Sequence, residues 1–245
     1  MCNLYNLSSK EEIELYFRAL VWDSYRPRTV GPLGTGVFVR PAGGTLQAVE
    51  GQWGMIPAGC PTRKPMVPAR GTGQKPKPLS TNNARIETIE KARTFAPSWK
   101  AGRRCLIPAS WYAEPNWETG RNIWWNLKRS DGQPWALAGL WSEWTDPTSG
   151  ELVPNYTMIT VNCDIHCLLN RLHRPDPKLP RDAQDKRALV HVEPNRWEQW
   201  LHGDENDARD VLATLPVPDF YDQADRLKTD GILAEQQRGE QPGLL

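Results

Sequence analysis

Residues 36–50 read Gly-Val-Phe-Val-Arg-Pro-Ala-Gly-Gly-Thr-Leu-Gln-Ala-Val-Glu. The segments 36–40 and 45–50 carry strand-forming side chains, and Pro41-Ala42-Gly43-Gly44 between them is a turn signal. A Gly-Gly pair suits a tight hairpin because glycine takes positive φ without a steric penalty. The stretch predicts two antiparallel strands in direct succession, with no crossover helix between them.

Outward from this hairpin, strand candidates fall at 104–107, 122–128, 135–141, 156–162 and 187–193. Turn signals separate them, among them Ser130-Asp131-Gly132 and the run from Pro147 to Gly150. Ser9 and Glu12 form a capping box, followed by Ile13, Tyr16, Phe17 and Leu20 at helical spacing. This predicts a helix close behind the N-terminus that ends before Pro27. Short helices are expected at 87–95, 196–202 and 207–212. Residues 57–78, rich in Pro, Gly and Lys, read as a long loop without regular structure, and loops of that length usually carry function. Many strands with few interspersed helices imply an α+β fold, a single domain over 1–222 built on antiparallel sheets with peripheral helices. Residues 223–245 are expected to be a polar, frayed tail.

The 245 residues are 39% hydrophobic and 24% charged, enough for a sizeable core in a soluble protein. No apolar run reaches the roughly 20 residues a membrane span needs, and the first residues lack the basic and apolar regions of a secretory signal. Five cysteines form an odd set without zinc spacing, so reduced thiols in a cytoplasm are expected, with no metal and no cofactor. Net charge is only +1, but it is unevenly spread. Between Gly51 and Arg104 stand eleven Lys or Arg against two acids, a local charge of +9 that leaves −8 for the rest. Such asymmetry fits a phosphate-facing surface. Most of the twelve tryptophans are assigned to core and sheet packing.

Four segments could carry chemistry. Cys2, once Met1 is removed, presents an α-amine and a thiol on adjacent carbons. Their ordinary pKa values, about 7.7–8.0 and about 8.5, leave both partly deprotonated near neutrality. Such an aminothiol condenses with an aldehyde: the amine forms a Schiff base and the thiolate closes a five-membered thiazolidine. The second segment, Asn82-Asn83-Ala84-Arg85-Ile86-Glu87-Thr88, ends the basic loop and is expected to open a helix. The third, from Arg104 to Glu114, is expected to be a strand leading into an aromatic turn with a carboxylate. The fourth is Arg171-Leu172-His173-Arg174-Pro175, followed by Lys186-Arg187-Ala188-Leu189-Val190. Singly, each has an ordinary explanation: an Asn cap, a surface Glu, a solvated loop His.

Together, and with Trp53-Gly54-Met55-Ile56-Pro57, these segments resemble the SOS response-associated peptidase (SRAP) family, over about residues 1–195. The resemblance implies an α+β fold, loss of Met1 by a self-directed cysteine-peptidase step or by an aminopeptidase, and covalent capture of abasic sites in single-stranded DNA through lyase-like Schiff-base chemistry. The partner would be single-stranded DNA, the protein a cytoplasmic monomer without membrane association, joining the nucleoid on damaged DNA. Cys2 would be the nucleophile. Asn83 would orient Cys2 or the opened sugar, Glu114 would act as acid/base near the α-amine, and His173 would move protons during ring opening. Arg85 would hold a phosphate, with Arg63, Lys64 and Trp53 as further DNA contacts. Three departures stand out. Leu4 occupies a position where the family often has Arg. Trp111-Tyr112-Ala113 replaces a turn ending in Gly and two aromatics, with Glu118 as a lesser substitute for Glu114. The interval between His173 and Lys186 is longer than the common form, which leaves His166 as a rival histidine.

Two other functions fit parts of the sequence. A cysteine amidohydrolase or peptidase acting on external peptides would use the same N-terminal Cys with Asn and His, but gives no reason for the basic segment. A non-catalytic single-strand binding module would use the tryptophans and lysines, but gives no reason for Cys2.

Overall fold

The computed structural model describes residues 2–222 except 70, 72 and 74. Among the described residues twelve strands carry the fold: β1 (Tyr5–Leu7), β2 (Thr29–Val30), β3 (Thr35–Ala42), β4 (Thr45–Trp53), β5 (Met66–Val67), β6 (Lys77–Pro78), β7 (Asn83–Arg85), β8 (Arg104–Asn116), β9 (Ile123–Leu127), β10 (Trp135–Thr145), β11 (Leu152–Asn162) and β12 (Arg187–Leu189). Short α-helices lie beside them: α1 (Lys10–Tyr16), α2 (Ala96–Lys100), α3 (Trp197–His202) and α4 (Glu205–Leu212). The architecture is α+β, as the pattern of strands and turns implies.

The hairpin of residues 36–50 forms as expected, with Ala42 opposite Thr45 and the turn at Gly43 (φ 56°) and Gly44 (φ 81°). It is one wall of a barrel. β3 pairs β4, β4 runs parallel to β11, β11 pairs β10, β10 pairs β8, and β8 returns to β3 through Val39 and Leu106. Closing the ring leaves these five strands no free edge and encloses an apolar interior that includes Phe38, Val39, Leu106, Ile107, Tyr156 and Met158. Gly139 sits where two walls crowd: a Cβ there would lie 2.6 Å from the Thr157 carbonyl oxygen and overlap the Ile107 side chain.

The barrel also sets where chemistry can occur. The first half of β8 belongs to the barrel wall, and its second half peels away to pair β9 and β1. Tyr5 lies opposite Tyr112 in antiparallel register, so the chain running back from Tyr5 to Cys2 follows β8 forward to Glu114. The Ala113 amide donates to the Leu4 carbonyl at 2.8 Å and extends that pairing. β7 lies parallel to β11, with Asn83 opposite Met158, which brings a third segment to the same end.

Several local expectations are corrected. α1 has its capping box but stops at Tyr16, because Arg18 turns to φ 53° and Leu20 is left exposed. Residues 87–95 form hydrogen-bonded turns, and the helix begins only at Ala96, where Pro97 suits a first turn. Residues 83–85 are a strand rather than the opening of a helix, and 104–116 is one continuous strand that carries Glu114, with no aromatic turn. The loop 57–78 contains a small ladder, Met66 opposite Pro78 and Val67 opposite Lys77. The last strand stops at Leu189. The expected tail, 223–245, lies outside the described residues. Among the described residues no helix is long and apolar enough to cross a membrane.

Candidate active site

Cys2 is wholly buried. Its carbonyl oxygen accepts two side-chain amides, from Asn83 Nδ2 at 2.7 Å and Asn82 Nδ2 at 3.1 Å. Each asparagine is fixed in turn. Asn83 is anchored by β7 against β11, and the Asn82 carbonyl accepts from Trp53 Nε1 at 2.9 Å and the Met158 amide at 3.1 Å. The Cys2 thiol donates to the Leu4 carbonyl at 3.2 Å. Burial, and secondarily the nearby Glu114 carboxylate, push this thiol well above its ordinary range, so it rests protonated.

Glu114, 2% exposed, projects from the outer half of β8. His173 Nε2 lies 3.3 Å from Glu114 Oε2 and 3.0 Å from the Arg187 carbonyl oxygen. A carbonyl oxygen only accepts, so Nε2 carries the proton and donates it to the Arg187 carbonyl, with the Glu114 carboxylate beside it. Burial holds the His173 pKa below the usual histidine value, partly offset by the Glu114 carboxylate. The imidazole is therefore neutral at pH 7, with its tautomer set by the Arg187 carbonyl.

His173 has φ 64°, a left-handed conformation that costs a non-glycine residue energy and persists where the surroundings over-determine it. Here they do. Its amide donates to the Pro115 carbonyl at 2.6 Å, and Leu172 bridges Asn116 at the end of β8. The buried Lys186 ammonium then clamps the Leu172 and His173 carbonyls at 2.7 and 2.5 Å. Arg187, also buried, gives both guanidinium ends to Glu87 at 2.9 and 2.8 Å and one to the Thr160 carbonyl at 2.8 Å. Burial alone would raise the Glu87 carboxyl, but the Arg187 bonds outweigh it and hold it below its ordinary range.

The fold thus brings together Cys2, Asn83, Glu114 and His173, four residues from distant parts of the chain. The rival residues are engaged elsewhere. His166 Nε2 faces the Pro216 carbonyl at 2.7 Å, and its Nδ1 accepts from the Leu168 and Leu169 amides. Glu118 takes a two-pronged bond from Arg171, at 2.6 and 2.7 Å. Of the expected DNA contacts, Arg85 is half-exposed and paired with Asp185 at 2.6 Å, and Arg63 is exposed and paired with Glu151 at 2.5 Å. Lys64 is exposed. Trp53 does not offer its ring to a base: it is fully buried, edge-on to Tyr5, and supports Asn82. Asn82, Lys186 and Arg187 were within the quoted segments but had no assigned role. Asn82 and Lys186 act on backbone carbonyls, which no residue pattern signals, and Arg187 joins the Thr160 carbonyl to the distant Glu87 carboxylate.

Two clefts flank this cluster. One, of about 420 Å³, opens beside His173 between Trp117, Arg181 and Lys186. The other, of about 320 Å³, runs past Asn3, Leu33, Leu79 and Asn82. A larger cavity of about 770 Å³ lies at α1 and α3 and touches none of the site residues. Site geometry, rather than cavity size, therefore identifies the candidate centre.

The family model for the SOS response associated peptidase (SRAP) matches residues 1–228. The abasic site processing protein YobE of Bacillus subtilis is 27% identical over 175 residues, which cover 71% of this chain and 66% of the relative. The abasic site processing protein YedK of Escherichia coli is 26% identical over 138 residues, covering 56% and 54%. The chain thus spans just under two thirds of one curated relative and about half of the other. A solved protein structure from Bordetella bronchiseptica is similar over 90% of this chain and 97% of its own, with TM-score 0.74 and 30% identity.

Proposed function

This chain belongs to the SOS response associated peptidase family, and on that premise we propose that it captures abasic sites in single-stranded DNA as a covalent thiazolidine on Cys2. The observation that carries the reading is the seating of Cys2, held through its carbonyl by Asn82 and Asn83 beside the buried Glu114 and the part-buried His173.

In this scheme hydrolysis of the Met1–Cys2 peptide bond releases methionine and frees the Cys2 α-amine. The abasic deoxyribose opens to its aldehyde, and neutral His173 relays the proton between ring oxygen and hydroxyl. The amine adds to the aldehyde carbon, and the Glu114 carboxylate passes the protons that the nitrogen sheds to the departing oxygen, so that water leaves and a Schiff base results. Glu114, again a carboxylate, accepts the Cys2 thiol proton, the sulfur attacks the same carbon to close the five-membered ring, and the proton passes on to the ring nitrogen. One water leaves overall and no redox change occurs. The high thiol pKa delays sulfur attack until a base is positioned to take its proton. Asn83 Oδ1, buried without a hydrogen-bond partner among the described residues, can accept from the freed amine or a sugar hydroxyl. Exposed cations in 63–85 would hold flanking phosphates.

The test is a denaturing gel after incubation with an oligonucleotide bearing one abasic site. The reading expects a heat-stable shifted band from the parent protein. With Cys2→Ala it expects none unless borohydride is added, because the amine persists while the ring-closing sulfur is lost. A Cys2→Ala variant that formed the same heat-stable band would overturn it.

A further inference from the structure

Arg85 does not stand free. Its Nη1 is 2.6 Å from Asp185 Oδ2, while the other oxygen of that carboxylate lies 3.2 Å from Arg187 Nη1. Asp185 belongs to the long interval between His173 and Lys186 and is itself specially placed. It has φ 54°, and its amide donates to Asp164 Oδ2 at 3.0 Å. The neighbouring Lys186 amide binds Asp164 Oδ1 at 2.8 Å, so one carboxylate pins the turn. The Arg85–Asp185 pair is a little over two-fifths exposed on both sides, open to an incoming anion. Arg187 is not: 4% exposed, it keeps its bonds to Glu87 and Thr160 whether or not Asp185 is engaged.

We propose that Asp185 is an internal competitor for the phosphate of bound DNA, setting affinity by occupying Arg85 until a backbone phosphate displaces it. This rests on the proposed single-strand reading and adds a residue that tunes it. The two ends of the carboxylate do different jobs. The end on Arg187 stays with a buried, permanent cation and keeps the turn in register. The end on Arg85 is bound to an exposed cation whose other natural partner is a phosphate. Displacement leaves Asp185 on Arg187, so nothing buried is left unpaired. A weak or brief DNA contact would not displace the carboxylate, whereas a strand anchored at the neighbouring site would.

Asp185→Asn removes the charge but keeps the shape and tolerates φ above zero. The probe is a single-stranded oligonucleotide with a tetrahydrofuran in place of the abasic sugar, which binds but cannot condense with Cys2. Exposed ion pairs are worth little, so Asp185→Asn is expected to tighten binding only about two- to fivefold. It should also steepen the salt dependence by up to about 0.7 in log–log slope, the weight of one phosphate contact on single strands, because no displaced carboxylate then regains a counterion on binding. In an Arg85→Ala background the same change should give neither effect. An equal gain in both backgrounds would mean a general charge effect and overturn the proposal, as would unchanged affinity in Asp185→Asn alone. Failure of the parent protein to bind the probe at all would instead overturn the single-strand reading, and this inference with it.

Discussion

Two asparagine amides on one carbonyl make a redundant clamp, and redundancy has a measurable signature. Asn83→Ala removes the 2.7 Å bond to the Cys2 carbonyl but leaves the 3.1 Å bond from Asn82, so the oxygen stays paired. A neutral hydrogen bond contributes about 0.5–1.5 kcal/mol net, which at about 1.4 kcal/mol per decade is roughly a two- to tenfold loss in capture rate. Asn82→Ala should cost a similar amount, since Asn83 then holds the carbonyl alone, and a further bond to Asn3 Oδ1 is lost with it. The double variant is different in kind. It leaves the carbonyl of the buried Cys2 without either amide, and an unsatisfied buried acceptor costs about 1–3 kcal/mol. Its rate should therefore fall below the product of the single effects, by about 1 kcal/mol of coupling or more. The assay is single-turnover crosslinking to an abasic oligonucleotide, quantified on denaturing gels, with melting temperatures measured alongside. A double variant no slower than the slower single would show that Cys2 is positioned by other contacts, and the clamp argument would be wrong.

Other expectations follow from the same geometry. His173→Ala should slow capture by about 10²–10⁴-fold, the usual loss for a general acid/base, while His166→Ala retains the parent rate; the reverse ranking would place proton transfer at the wrong histidine. Burial holds both His173 and His191 below their unfolded pKa, so the unfolded chain binds more protons as pH falls through about 6.5. Stability from this source is full above that value and is lost as pH drops toward the folded-state pKa values; a melting temperature flat between pH 7 and 5 would contradict it. Lys186→Met should loosen the Leu172 and His173 carbonyls and lower capture more than it lowers the melting temperature, because its ammonium clamps the loop that carries the imidazole. Equal proportional losses in both would assign Lys186 a purely structural role.

The hairpin of 36–50 and the strands near 135–145 and 152–162 were legible because turn chemistry and side-chain patterning act locally. What the sequence did not disclose is set by distant pairing. Tyr5–Leu7 is a three-residue strand held between β8 and β2, and 83–85 becomes a strand against β11. Both carry the site, so the elements that matter most for chemistry were the hardest to read. Glu114 was identified by motif spacing, yet its placement on a strand depends on β8 running on past Pro108 to pair β9. Trp53 was misjudged for a related reason. An indole in a basic neighbourhood suits base stacking as well as core packing, and only the barrel's closure decides between them. The Arg85–Asp185 pair joins residues 100 positions apart and had no local signal.

The most direct test of the central claim is mass spectrometry of the crosslinked product after nuclease and trypsin digestion. Trypsin releases the N-terminal segment by cutting after Lys10. The account predicts a peptide of residues 2–10 without Met1, carrying a deoxyribose remnant with loss of one water, the mass of a ring closed by both amine and sulfur, with fragment ions that place it on Cys2. A crosslinked peptide that still begins at Met1, or a remnant on any lysine or other cysteine, would contradict the account.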